Sequence, residues 1–147
     1  MRPGGALITH RFVALALACL MGSTACSEKE AASYSGVAKL ARALKANGIA
    51  CEGFRMMSSG APKPSAAPSK AGAQRLVEQR GDCTHESSRL LLFTFRSRKV
   101  RDRWLALGQL YGPLVRGPNW AVSSQNKDVV EEIGGALGGE VTGGDVR

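Results

Sequence analysis

Apolar residues recur along this chain at a few regular spacings, and the changes of spacing mark out its elements. Ten consecutive apolar residues, Phe12 to Met21, come first. Val37, Leu40, Ala41 and Leu44 then fall at i, i+3, i+4 and i+7 with Lys39, Arg42 and Lys45 between them, the pattern of a helix that buries one face. Ser33 or Ser35 can cap its start, and Asn47-Gly48 supplies a left-handed stop. The spacing next predicts a strand from Ile49 to about Met56, with Ile49 and Cys51 on one side and Ala50, Glu52 and Phe54 on the other.

Residues 58–72 hold Pro62, Pro64 and Pro68 among Ser, Ala, Gly and Lys, with no large apolar side chain to fix them, and are expected to form a mobile insertion. Gly81 to Thr84 and Arg89 to Phe95 read as a hairpin turning at Glu86-Ser87-Ser88. Its second strand is apolar on both faces, as a central strand would be. Val100, Trp104, Leu107 and Tyr111 predict a helix from about Ser97 to Tyr111, ended by Gly112-Pro113. Leu114 to Arg116 and Trp120 to Ser123 read as one strand interrupted at Gly117-Pro118-Asn119, because proline cannot donate to a ladder. A last helix, about Gln125 to Leu137, carries Val129, Val130, Ile133 and Leu137 on its apolar stripe. Gly134-Gly135 should weaken it, Gly138-Gly139 should stop it, and residues 140–147 should fray.

The order helix, strand, hairpin, helix, strand, helix predicts an α+β domain over residues 35–139: one mixed sheet covered by helices, ferredoxin-like or a related two-layer sandwich. The helical connection after the hairpin should make its flanking strands parallel with a right-handed crossover.

Composition narrows the class further. A chain of 147 residues holds one core, and only 5% of it is aromatic while Gly reaches 18, so that core is thin. The formal net charge of +8 permits anionic partners. Arg2 and Arg11 precede the first apolar run, with no acid in residues 1–25, the charge and length pattern of a secretory signal peptide. Ten apolar residues serve such a leader but fall short of the roughly 20 needed for a spanning helix.

Ser23 and Ala25 precede Cys26, so residues 1–25 resemble a bacterial lipoprotein leader, in which a box of small residues ends in a cysteine that receives diacylglycerol. Ser23 departs from the aliphatic residue usual there, which leaves ordinary cleavage to a soluble protein open. The resemblance implies lipidation at Cys26 and a polar tether over residues 26–34. Without the leader the chain keeps Cys26, Cys51 and Cys83, an odd number for an oxidising compartment, and lipidation of Cys26 removes the odd thiol. If Cys51 and Cys83 pair, they close a loop of 33 residues counted inclusively. The chain-entropy model makes that worth about 3 to 4 kcal/mol.

Cys51 after the first helix, Gly81-Asp82-Cys83-Thr84, Arg101-Asp102 with Trp104, Gly117-Pro118-Asn119-Trp120 and Leu137-Gly138-Gly139 together resemble a group of small secreted proteins and lipoproteins from actinobacteria. That resemblance implies export, a Cys51–Cys83 bridge and a small α+β fold, and no reaction.

Candidate chemistry is sparse. Arg89, Arg96, Arg98, Lys99, Arg101 and Arg103 put six cations in 15 residues, a possible anion-binding face over Arg96 to Arg103, or a solvated helix face with Arg98 paired to Asp102. Trp120, after its Gly-Pro turn, is a candidate wall of a ligand groove, whereas Trp104 fits the core stripe. His85 stands beside Asp82, Thr84 and Glu86, but strand alternation would put it with Cys83 and apart from those three, so it reads as a surface turn histidine. Glu131 and Glu132 point about 100° apart on their helix and read as exposed charge. No catalytic set, metal site or cofactor motif is recognisable.

The expectation is a non-enzymatic binding or accessory module of the cell envelope, held to the membrane by a lipid at Cys26. Its partner would be an anionic envelope polymer or another envelope protein, and not nucleic acid, since no exposed aromatics interleave with the cations. Alternatives are a soluble secreted binder of anionic polymers or headgroups through the Arg96 to Arg103 face, and a small hydrolase using His85 with Asp82 or Glu86. The number of chains in the working unit is left open.

Overall fold

The computed structural model describes residues 29–58, 68–107 and 112–143. The expected signal peptide, Cys26, the middle of the Pro-rich insertion and Tyr111 lie outside the described residues.

Helix α1, Val37–Ala46, buries the expected stripe of Val37, Leu40, Ala41 and Leu44. Its first amide is capped from a distance: Val37 N donates to Gln79 Oε1 at 3.2 Å, and neither Ser33 nor Ser35 serves. At the other end Gly48 takes φ 85° and Ile49 N returns to Leu44 O, the expected left-handed stop. Strand β1, Glu52–Met57, is bulged at Gly53, φ 60°. One extra residue reverses the alternation, so Phe54 packs with the core beside Cys51 and not opposite it.

Helix α2, Pro68–Leu76, replaces the last part of the expected insertion and buries Ala73. Strands β2, Gln79–His85, and β3, Ser88–Thr94, pair across a two-residue turn in which both Glu86 (φ 46°) and Ser87 (φ 67°) are left-handed. That is the turn whose twist matches the strands it joins. Helix α3, Arg98–Leu107, starts at Ser97, whose hydroxyl accepts from Val100 N.

Strands β4, Leu114–Arg116, and β5, Trp120–Ser123, correct two expectations at once. They are separate antiparallel strands, because Gly117-Pro118-Asn119 turns the chain fully back where a bulge was expected. A Cβ on Gly117 would stand 2.1 Å from the Trp120 ring, so only glycine allows the turn to close over that indole. β5 therefore enters between β3 and β4, antiparallel to both, and the sheet is antiparallel throughout where a mixed one was expected.

Helix α4, Lys127–Leu137, is capped by Asn126 and stopped at Gly138, φ 71°. Gly134 is buried against β6, Glu140–Thr142, its Cβ position lying 2.9 Å from Val141 Cγ2. The glycine expected to weaken the helix is what lets this strand approach. The segment expected to fray thus supplies the sheet's last strand, locked to β4 by the Arg116–Glu140 ion pair at 2.7 Å.

The strand order is β1-β2-β3-β5-β4-β6. Leu90, Leu92, Val115, Trp120 and Val122 face α1 and α4 in the larger core. Phe93, Phe95, Leu114 and Ala121 face Trp104 of α3 and Ala73 of α2 in a smaller one. The α+β class and the single helix-covered sheet stand as expected, with helices on both faces in place of one. Cys51 and Cys83 are bonded, Sγ to Sγ 2.04 Å and Cα to Cα 5.2 Å, and both are buried in the larger core. Bridges of this kind form and persist in oxidising compartments.

Candidate functional site

The expected anion-binding face is divided by the fold. Arg96, Arg98, Lys99 and Arg103 are exposed. Arg101 is buried: its guanidinium donates to Gly117 O, and its Nε donates to Asp102 Oδ1 at 3.0 Å. Asp102 therefore pairs with its neighbour in sequence and not with Arg98, and Arg101 becomes a strut between α3 and the β4–β5 turn.

Trp120 is not a groove wall. It is fully buried, its Nε1 donates to Ala32 O at 2.8 Å, and Tyr34 packs on it with ring centres 6.0 Å apart. Asn119 fastens the same cover, accepting from Tyr34 N at 3.0 Å and donating to Tyr34 O at 2.8 Å. Residues 29–34, expected as part of a polar tether, are in this structure a strip laid over the larger core.

Asp82 is buried, and two arginines hold its carboxylate, Arg89 at 2.8 Å and Arg55 at 3.1 Å. Burial pushes its carboxyl upward, but the hydrogen bonds and charges of Arg89 and Arg55 outweigh that and hold it below the usual carboxylate range.

His85 lies on the opposite face, buried under α4 and not on the surface. Its Nε2 meets Glu132 Oε2 at 3.2 Å, and its Nδ1 is buried with no hydrogen-bond partner among the described residues. Alternation along an extended strand would send the next side chain away. The left-handed turn at Glu86 breaks that alternation, and the Glu86 carboxylate comes within 4.8 Å of both His85 and Glu132 ligand atoms. No family model, curated protein or solved structure matches this chain. Weight therefore rests on the geometry alone.

That geometry concentrates polar groups where the β2–β3 turn meets the start of α4. An open cleft of about 540 Å³ is lined there by Ser88, Arg89, Ser124, Gln125, Lys127 and Asp128 among others. In the sequence Glu132 reads as exposed charge, because its neighbour Glu131 points about 100° away from it on the helix. The signal was present: Cys83 and His85 share a strand face, so whatever helix covers the bridge also covers the imidazole. Tyr34 and Asn119 carried no comparable signal, being 85 residues apart.

Proposed function

We propose that this chain is a small, non-enzymatic binding module of the cell envelope, exported and held to the membrane by a lipid on Cys26. The observation that carries it is the buried Cys51–Cys83 bridge, which suits an oxidising compartment outside the cytosol. With the bridge formed, Cys26 is the thiol left over behind the leader, which supports its use as the lipid attachment point. Kinship with the small secreted proteins of actinobacteria belongs to the same proposal, supported by the order of motifs alone.

A second reading, a soluble binder of anionic envelope polymer or headgroups, is favoured by the exposure of Arg96, Arg98, Lys99 and Arg103. Hydrolysis through His85 has less support: Asp82 is committed to Arg55 and Arg89 on the other side of the sheet, which leaves Glu86 alone of its two expected partners near the imidazole.

Extraction of native membranes separates the first two readings. A lipid-anchored protein leaves with detergent and stays through roughly 0.5 M salt, whereas a protein held by its cations leaves with the salt. Release by salt alone would overturn the anchor.

A further inference from the structure

We infer that His85, Glu86 and Glu132 form a binding site for a divalent transition-metal cation of the zinc class. Three elements converge on it: the end of β2 supplies the imidazole, the left-handed turn supplies Glu86, and the second turn of α4 supplies Glu132. Zinc binds imidazole nitrogen and carboxylate oxygen at about 2.0 to 2.2 Å, which places the donors of a tetrahedral site about 3.4 Å from one another. His85 Nε2 and Glu132 Oε2 already stand 3.2 Å apart, and a Glu86 carboxylate oxygen lies within 4.8 Å of a ring nitrogen of His85 and of a carboxylate oxygen of Glu132. Glu86 is exposed and Glu132 half-exposed, so both carboxylates can rotate in by the remaining ångström while the imidazole stays fixed.

A second observation points the same way. The His85 side chain is only 5% exposed, and the one hydrogen bond it makes among the described residues, to Glu132, lies inside the cluster itself. Here the fold holds a buried imidazole with Nε2 on one carboxylate and a second carboxylate within reach of the ring. One nitrogen and two carboxylates also match the chemistry: they suit zinc and its first-row neighbours better than Mg²⁺ or Ca²⁺, which prefer oxygen alone. Three protein donors leave a coordination position for water or for a donor from a ligand. The inference does not depend on the lipid anchor.

Isothermal titration of the full chain in detergent, stripped with chelator and titrated with ZnCl₂ at neutral pH, tests it. The expected result is zinc binding of which one equivalent is lost or weakened at least about tenfold in Glu86→Gln plus Glu132→Gln. Both glutamates reach solvent, so this double variant should fold, with an unchanged circular dichroism spectrum as the check. His85→Gln should lose the same equivalent. Zinc held by thiols elsewhere on the chain would be indifferent to the glutamates. Equal binding by parent and double variant, or no binding by the folded parent, overturns the site.

Discussion

Trp120 gathers much of what single residues do in this fold. Its ring closes the larger core, its Nε1 pins the strip before α1 through Ala32 O, and its bulk requires Gly117 and Gly139 beside it, each of whose Cβ positions lies within 3 Å of the indole or Val115. Trp120→Ala should therefore destabilise by about 3 to 5 kcal/mol. Trp120→Phe should lose about 1 kcal/mol for the hydrogen bond, together with whatever contact the smaller ring gives up. Denaturant unfolding reads both changes, and release of residues 29–34 should show as faster proteolysis ahead of α1. Asp82 gives a pH signature. Its folded pKa is depressed, so its contribution is complete above the ordinary carboxylate value of about 4 and is lost as pH falls through the folded value. Asp82→Asn should be less stable than the parent at neutral pH and should approach it in acid, as followed by unfolding at a series of pH values. A gap that stayed constant down to pH ~2 would show that the arginine pair does not act through charge. At this scale the sequence is legible where a residue follows its neighbours' periodicity, as Trp104 does, and illegible where a turn breaks it. Strict alternation puts Glu86 and Phe54 on the wrong face, because a left-handed residue, Glu86 itself and Gly53 before Phe54, re-aims each of them.

Among the elements, α1, the β2–β3 hairpin and α4 could be read in advance. Each has a clean apolar period and its own punctuation, Asn47-Gly48 for α1 and Gly138 for α4. Elements defined by long-range pairing could not. β6 has three residues and no pattern of its own. It exists because β4 offers it an edge and Gly134 offers it room. α2 was hidden by its composition, since Pro68 and its small neighbours read as linker until α3 is present to receive Ala73. The reversal at Gly117-Pro118-Asn119 decided the sheet's direction, and the same three residues fit a bulge equally well. Two consequences belong to this scale. Replacing Cys51 and Cys83 together by Ala should lower stability by about 3 to 4 kcal/mol, a large share of what a domain of this size has, read as a drop in the denaturation midpoint. Gly134→Ala should destabilise although alanine favours helices, because the added methyl meets Val141, and the loss should localise to β6 in hydrogen exchange.

At the scale of the whole molecule, the described residues form one antiparallel sheet between two helical layers, with the bridge in the larger core and most of the α3 cations on the outside. The α+β class was legible because helices and strands each kept their period. The layering was not, because the face that a helix covers is fixed by partners distant in sequence. The same holds for the candidate site, whose three donors come from His85, Glu86 and Glu132 across 47 residues. The proposed function rests on where the chain resides: the observed bridge, the leader-like start of the sequence and Cys26 are parts of one proposal of export. The most direct measurement is the intact mass of the protein taken from its native membrane. The account expects a chain beginning at Cys26, heavier by a diacylglyceryl group and lighter by the two hydrogens of the Cys51–Cys83 bond. A chain beginning at Met1 with both of those thiols free would contradict it.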